Sequence, residues 1–540
     1  MLMIPKPRKV EIKSCGALDL RELKSLCVCG EFKEIPPVID QTLFAKIHAA
    51  PEINGKSGPA MRILFDAGVK PEGYFMRISE DGVEIRAADK NGALYAVQTL
   101  RTAAKADSEK PLYKVEFSEI EDYPDHAWRG LLLDAARHFW DADYIKKIID
   151  ILLLHKMNSL HLHLTDDQGW RIEIKSFPLL TEIGSKRGRT HIGGWANKRD
   201  LDDGKPHSGF YTQEEMRGIV EYAGLRGVAV IPEIDMPAHF AAAFAAYGHL
   251  ACRDKKIEVP WYFGGHYPSS RGEKDWNRSV CVGKKTTFDF IFAVIDEIAE
   301  LFSAPYIHIG GDEAPKGEWE VCPDCQRLMK EKGLADTKEL QSYFVRTVCD
   351  YVKSKGKKPI GWNEVLQGGN SDTDMLVQYW TIQNDKNVAA FLGKGGKALM
   401  TKHKPLYIDM PYSKYSLKSV YNFKTYAGGV SESFAGRVVG VETALWTEWV
   451  GSVEKLEFQL FPRLTAVAEV CWSRQRDDYR TEFLPRLREF KEIYDGLGVN
   501  YARPKIADPK NPIKRLSVLR DFLFKDTERE FNENERIKNM

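Results

Sequence analysis

From Trp128 onward one unit recurs along the chain: a short apolar strand, a polar loop, then an amphipathic helix. The residue pattern predicts eight strands, at Gly130–Ala135, Ser159–Thr165, Val228–Asp235, Tyr306–Gly310, Pro359–Asn363, Met375–Trp380, Leu406–Met410 and Val438–Leu445. Stretches with apolar residues at helical spacing fall between most of them, such as 143–155, 212–226, 286–302, 337–355 and 385–392. Strands separated by helices cannot pair as hairpins, so successive strands lie parallel. Eight such repeats predict a closed (β/α)8 barrel. A doubly wound open sheet is the alternative, but the first strand is not followed by the glycine-rich phosphate loop of that fold.

Residues 1–122 read as a separate small α/β domain. Tyr74 to Ile78 and Val83 to Ala87 alternate about Glu80-Asp81-Gly82, which predicts a hairpin. The stretch Gly92 to Leu100 has helical spacing, and nothing in this domain suggests chemistry. The barrel is expected over 123–503, and the polar stretch 504–540 is expected to be a helical tail with a frayed end. The 78 Lys+Arg and 77 Asp+Glu residues nearly cancel, so there is no broad basic field to bind nucleic acid. No apolar run is long enough to span a bilayer, and Met1 to Lys9 lacks the apolar segment of a secretory signal. Nine cysteines in 540 residues fit reduced thiols, so a cytoplasmic location is expected.

The active site of such a barrel lies at the C-terminal ends of its strands. The first strand ends in Asp134-Ala-Ala-Arg-His138, and the second reads Leu160-His-Leu-His-Leu-Thr-Asp-Asp167. The third gives Glu233-Ile-Asp-Met-Pro-Ala-His239. The fourth, Tyr306-Ile-His-Ile-Gly-Gly-Asp-Glu-Ala-Pro315, puts Tyr306, His308, Gly310 and Asp312 on one side of a two-residue period. Its two glycines allow a sharp bend before the adjacent acids, and Pro315 stops the strand from continuing. The last four strand ends each pair an aromatic with a polar side chain two residues away: Trp362 with Glu364, Gln378 with Trp380, Tyr407 with Asp409, Trp446 with Glu448. Repeated four times, that pairing describes a pocket with apolar walls and a few oriented polar groups. Such a pocket suits a sugar ring, whose C–H faces stack on aromatics while its hydroxyls meet carboxylates and arginine.

These stretches resemble the glycoside hydrolase family 20 β-N-acetylhexosaminidases. The likeness is carried by Leu131-Leu-Leu-Asp-Ala-Ala-Arg-His138, His161-Leu-His-Leu-Thr-Asp-Asp-Gln-Gly-Trp170 and His308-Ile-Gly-Gly-Asp-Glu313. It continues through Gly361-Trp-Asn-Glu364 and Gly440-Val-Glu-Thr-Ala-Leu-Trp-Thr-Glu448, and spans roughly residues 50 to 500. The resemblance implies exo cleavage of a terminal β-linked N-acetylhexosamine from an oligosaccharide, with no cofactor and no metal. Most glycosidases oppose two carboxylates across the scissile bond. Asp312 and Glu313 are sequence neighbours, which argues against that geometry. The family's alternative makes the substrate's 2-acetamido oxygen the nucleophile, with retention through an oxazolinium-like intermediate.

Carried over by motif, Glu313 is implied to be the general acid and base, and Asp312 to hold the acetamido N–H. Tyr407 is implied to bond the acetamido oxygen, and Asp166 with His239 to form a relay behind Glu313. Trp362, Trp380 and Trp446 are implied to enclose the acetamido group and the ring, and Arg137, Asp409 and Glu448 to grip the non-reducing-end hydroxyls. The chain has Pro237-Ala238-His239 where the family more often has glycine between proline and histidine.

Two other readings use the same residues. A metal-dependent amidohydrolase would bind its ion through His161 and His163, with His308 nearby, but that pair normally opens the first strand rather than the second. A non-catalytic sugar-binding protein could share the fold. Cys322-Pro-Asp-Cys325 has the spacing of half a zinc site; no second Cys-x-x-Cys exists, since Cys27 and Cys29 stand one residue too close, so an incidental role is expected.

Overall fold

A computed structural model of the chain describes residues 3–55, 58–104, 113–196, 201–254, 257–263, 279–426 and 430–539. The N-terminal region forms a seven-stranded mixed sheet in the order Lys9–Asp19, Lys114–Asp122, Tyr74–Ser79, Gly82–Ala87, Ala60–Phe65, Ser25–Val28, Glu52–Ile53. The predicted hairpin is its centre: Tyr74–Ser79 runs antiparallel to Gly82–Ala87. Gly82 takes φ +120°, and a Cβ there would stand 2.1 Å from the Ala60 carbonyl oxygen, so only glycine fits. The helix Lys90–Ala103 starts where Asp89 accepts a hydrogen bond from the Gly92 amide, a cap that contributes about 1 kcal/mol. Its Ala93, Leu94, Val97 and Leu100 are buried against this sheet.

The predicted barrel closes. Its strands are β1 (Trp128–Asp134), β2 (Ser159–His163), β3 (Ala229–Met236), β4 (Tyr306–Gly310), β5 (Lys358–Trp362), β6 (Leu376–Tyr379), β7 (Lys397–Met400) and β8 (Val438–Leu445). Every neighbouring pair is parallel, and β8 pairs with β1 to complete the ring. The helices Ala142–Leu154, Gln213–Leu225, Lys285–Leu301 and Thr337–Ser354 supply crossovers. Two begin with strong caps: Asp141 accepts from the Tyr144 amide, and Thr212 forms a capping box with Glu215.

One expected strand is corrected. The seventh barrel strand is Lys397–Met400, not Leu406–Met410. Tyr407 makes only an isolated bridge to Ala444, beyond the end of the sheet. Two strand-like apolar runs lie within fourteen residues here, and the turn at His403–Leu406 keeps both from joining the ladder. Pairing with β6 and β8 selects the first run, and Tyr407 and Asp409 are carried by the loop that follows β7.

The barrel interior is layered. At the bottom Trp128, Ile231, Ile360, Leu376 and Leu399 form an apolar plug. Leu131 and Leu133 of β1 face outward into the helix-packed core, whereas Leu132 faces inward. This alternation places His161, Glu233, His308, Trp362, Gln378 and Glu442 in a buried layer above the plug. At the top, Trp362, Tyr407 and Tyr415 pack with Trp380, Trp446 and Trp449.

The C-terminal stretch is helical and docks on the barrel at particular residues. Phe522 of helix Pro512–Phe524 joins the aromatic cluster at the top of the barrel. Glu530 of helix Arg529–Lys538 accepts hydrogen bonds from the Tyr412 and Ser413 amides, at 2.7 and 2.9 Å. Among the described residues no helix is long and apolar enough to cross a membrane.

Candidate active site

The strand β4 ends at Gly310, and the backbone then leaves strand geometry. Gly310 and Gly311 take φ +67° and +104°; a Cβ on Gly310 would lie 1.7 Å from Asp235 Oδ1. Glu313 itself has φ +45°, a conformation uncommon for a side-chain-bearing residue and one that collects at functional sites. This bend lets two adjacent acids share one rim. Asp312 turns inward, with its Oδ1 buried and without a hydrogen-bond partner in the protein. The Glu313 side chain is 60% exposed.

His239 links the two acids to the interior. It follows β3 with φ +54°, and its Nε2 stands 3.9 Å from Asp312 Oδ2 and 3.8 Å from Glu313 Oε2. Its Nδ1 is 3.3 Å from Asp166 Oδ1. Burial pulls the imidazole pKa down, but the Asp166 and Asp235 carboxylates outweigh it and hold His239 well above the ordinary histidine range. Asp166 is itself held low: burial opposes this, but Arg137, His239 and His163 prevail. Asp166 accepts from the Arg137 guanidinium at 2.6 Å and from His163 Nε2 at 3.0 Å. Asp166 and His239, expected behind Glu313, thus lie next to each other, and His239 stands as close to Asp312 as to Glu313.

The aromatic side chains converge from separate strand ends. Trp380 stacks on Tyr407 with centroids 6.0 Å apart and planes 13° apart. Trp446 lies 6.0 Å from both Tyr407 and Trp362, and the Arg137 guanidinium covers its ring at 5.2 Å. Trp362 forms the floor, 1% exposed, with its indole N–H donated to Glu233 Oε1 at 2.8 Å. Trp380 donates to Glu364 Oε2 at 2.9 Å. Asp409 Oδ1 is buried without a partner in the protein. Arg137 also contacts Asp134 at 3.3 Å, so its guanidinium is oriented by two carboxylates.

Several carboxyls here are perturbed. Burial, reinforced by Glu313 and Glu233 and opposed by His239, pushes Asp312 up to about 7. Burial pushes Glu364 up to about 8, with Asp312 adding to it. Burial and the neighbouring Glu448 push Asp409 up to about 8. Glu448 is raised by burial against the pull of Arg137. Clustered acids with raised pKa values in a concave, aromatic-walled site mark a place built to receive hydrogen-bond donors.

A stability effect follows for Asp409. Its folded pKa near 8 exceeds an unfolded value near 3.9, so the folded state holds the proton more tightly. The stabilisation is complete below about pH 4 and is lost as pH rises toward 8. Asp409→Asn removes the titration. Its melting temperature is therefore expected to fall less than that of the unaltered protein between pH 5 and 8, by differential scanning calorimetry without ligand. Equal pH slopes for the two proteins would contradict the raised pKa.

Residues without an assigned role complete the network. Glu233 meets His308 Nδ1 at 2.9 Å, His163 Nδ1 at 2.5 Å and His161 Nε2 at 3.2 Å. His161 Nδ1 reaches Glu442 at 2.9 Å, and Trp128 and Gln378 donate to the same carboxylate. Both ring nitrogens of His161 and of His163 therefore face carboxylates inside the barrel, in a buried ion network beneath the pocket. Asp235, with an unpartnered buried Oδ1 and a pKa raised well above normal by burial and Asp312, was also unassigned. The inward alternation of Glu233 and Asp235 along β3 was the available signal.

A parallel barrel with a carboxylate and aromatic pocket on its C-terminal rim defines a class of carbohydrate-active folds, and comparison with known proteins narrows it. Residues 126–475 match the catalytic domain of glycosyl hydrolase family 20, and residues 2–123 match domain 2 of the same family. The chain belongs to glycosyl hydrolase family 20. It is 36% identical over 534 residues to a β-hexosaminidase of Porphyromonas gingivalis, covering 94% of this chain and 65% of that one. It is 34% identical over 411 residues to a β-hexosaminidase of Vibrio furnissii, covering 73% of this chain and 64% of that one. The chain thus spans just under two thirds of the length of these two relatives. It also resembles the crystal structure of an exo β-N-acetylglucosaminidase of Vibrio harveyi in complex with N-acetylglucosamine. There the TM-score is 0.81 at 30% identity, covering 93% of this chain and 78% of that one.

Proposed function

We propose that this protein is an exo-acting β-N-acetylhexosaminidase that releases terminal β-linked N-acetylglucosamine or N-acetylgalactosamine with retention. The observation that carries the proposal is the bend at Gly310-Gly311. It sets a buried, unpartnered Asp312 oxygen beside an exposed Glu313, under a wall of Trp362, Trp380, Trp446 and Tyr407.

In this reading the acetamido group lies between Trp362, Trp446 and Tyr407. The Asp312 carboxylate accepts its N–H and stabilises the positive charge that grows on nitrogen as the carbonyl oxygen attacks the anomeric carbon. The Tyr407 hydroxyl donates to that oxygen and aligns it. Glu313 donates its proton to the departing glycosidic oxygen, then removes one from the water that opens the oxazolinium. His239 stands 3.8 Å from Glu313, within reach of its carboxyl, and is held in place by Asp166. Arg137, Asp409 and Glu448 bind the outer hydroxyls, which favours cleavage at a chain end.

Substrate assistance is tested with chromogenic β-glycosides that differ only at carbon 2. Turnover of the 2-acetamido glycosides is expected to exceed that of plain glucosides and galactosides by 10³-fold or more, because the plain sugars lack the nucleophile, roughly the scale of intramolecular assistance. Comparable rates on both would exclude the mechanism.

A further inference from the structure

The expectation for Cys322 and Cys325 changes once the chain is folded. Cys252 and Cys281 arrive from the segments that follow β3, and the four thiols converge on one point. Their sulfur atoms lie 3.9 Å apart for Cys252 and Cys325, 3.6 Å for Cys281 and Cys322, and 3.8 Å for Cys281 and Cys325. All four lie within 4.8 Å of one another. A tetrahedral zinc site with Zn–S bonds of about 2.3 Å has sulfur–sulfur edges of about 3.8 Å. A disulfide needs sulfurs about 2.05 Å apart, well inside any of these separations.

The surroundings suit bound thiolates. Cys322 is the N-cap residue of the ten-residue helix Pro323–Lys332, so its sulfur sits at the helix's positive end. The Gly283 amide hydrogen-bonds toward the Cys281 and Cys325 sulfurs. A Cβ on Gly283 would lie 2.1 Å from the Asp324 carbonyl carbon, so the two cysteine-bearing turns approach as closely as glycine allows. Cys281, Cys322 and Cys325 are buried, and Cys252 is half-buried. Simple apolar packing would interleave sulfur with carbon; four converging sulfurs describe a coordination polyhedron.

We propose that Cys252, Cys281, Cys322 and Cys325 bind one structural zinc ion as four thiolates, releasing their protons to solvent. The four share no member with the histidine–carboxylate groups beneath the pocket, so the ion takes no part in the reaction. Its place explains its use. Beside Cys281, the Val280 amide donates to the Pro237 carbonyl at 2.8 Å, and Ser279 Oγ donates to the Pro315 carbonyl at 3.0 Å. Pro237 stands two residues before His239, and Pro315 two residues after Glu313. A closed four-ligand site there ties together the two loops that carry the proton-handling side chains.

The full chain, produced in zinc-supplemented medium and dialysed, is expected to hold about one zinc per molecule by elemental analysis. Cobalt(II) substituted for zinc is expected to give the intense visible bands of tetrahedral thiolate coordination. Iodoacetamide is expected to spare the four cysteines until a mercurial reagent ejects the metal. A Cys281→Ser and Cys322→Ser double variant is expected to lose the metal and to melt at lower temperature. Unaltered protein that retains no zinc after reconstitution overturns the proposal, whether or not the variant folds. So does isolation of these cysteines as disulfides, recovery of iron in place of zinc, or full zinc retention by the double variant.

Discussion

Glu313→Gln is expected to slow hydrolysis by a factor set by the leaving group. The variant keeps the size and hydrogen-bonding reach of the side chain but has no proton to give. For natural glycosides, whose departing sugar alkoxide is a poor leaving group, loss of general acid catalysis is worth about 10²- to 10⁴-fold. For aryl glycosides with acidic phenols the first step needs little protonation, so the loss should shrink as phenol acidity rises. Asp312→Asn should behave differently. It removes the charge that faces the developing oxazolinium, a loss of about 10²- to 10³-fold in kcat that is the same for good and poor leaving groups. A leaving-group series on both variants separates the roles. If Glu313→Gln lost activity uniformly across the series, or Asp312→Asn lost almost none, the assignments would be wrong.

The second large effect concerns folding. Glu233 is buried in the barrel, where three histidines and the Trp362 indole converge on its two oxygens. Burial disfavours its charge, yet His308, His163 and His161 hold its pKa well below the ordinary carboxylate range. His161 in turn, pulled down by burial, is brought up to about 9 by Glu442 and Glu233. Glu233→Ala removes the shared counter-charge and strands buried imidazolium and indole groups. Breaking a buried pair by deleting one partner costs about 3–5 kcal/mol. The expected result is a marked fall in melting temperature and in soluble yield. Glu233→Gln, which retains the volume and one acceptor oxygen, should lie between. An unchanged melting transition in the alanine variant would show that the network adds nothing to stability. Because the same layer carries the floor tryptophan, surviving Glu233→Gln protein should also show a raised KM.

Much of this arrangement was legible in the residues. The eight-fold β/α repeat and the two-residue period of Tyr306 to Gly310 are local patterns, and local patterns report which face a side chain occupies. The period stops at the bend before Asp312, and Tyr407 with Asp409 stands on a loop. The seventh strand was misplaced because Lys397–Met400 and Leu406–Met410 are similar short apolar runs, and only pairing with both neighbours distinguishes them. The ion network was not assigned because its members come from separate strands. Nothing in His161, Glu233 or Gln378 taken alone says that they meet.

The cysteines show the same boundary most clearly. The Cys322 and Cys325 spacing is a local signal, but their partners lie 41 and 73 residues away in sequence. Periodicity and motif therefore decide the barrel, the rim on which its chemistry stands, and the two acids at its centre, since each depends on residues a few positions apart. Only the tertiary structure decides that His239 reaches both Asp312 and Glu313, that Glu233 sits beneath the pocket as its common counter-ion, and that four thiols close on one point. Those relations are set where distant strands and loops converge, and chain separation carries no information about distance there.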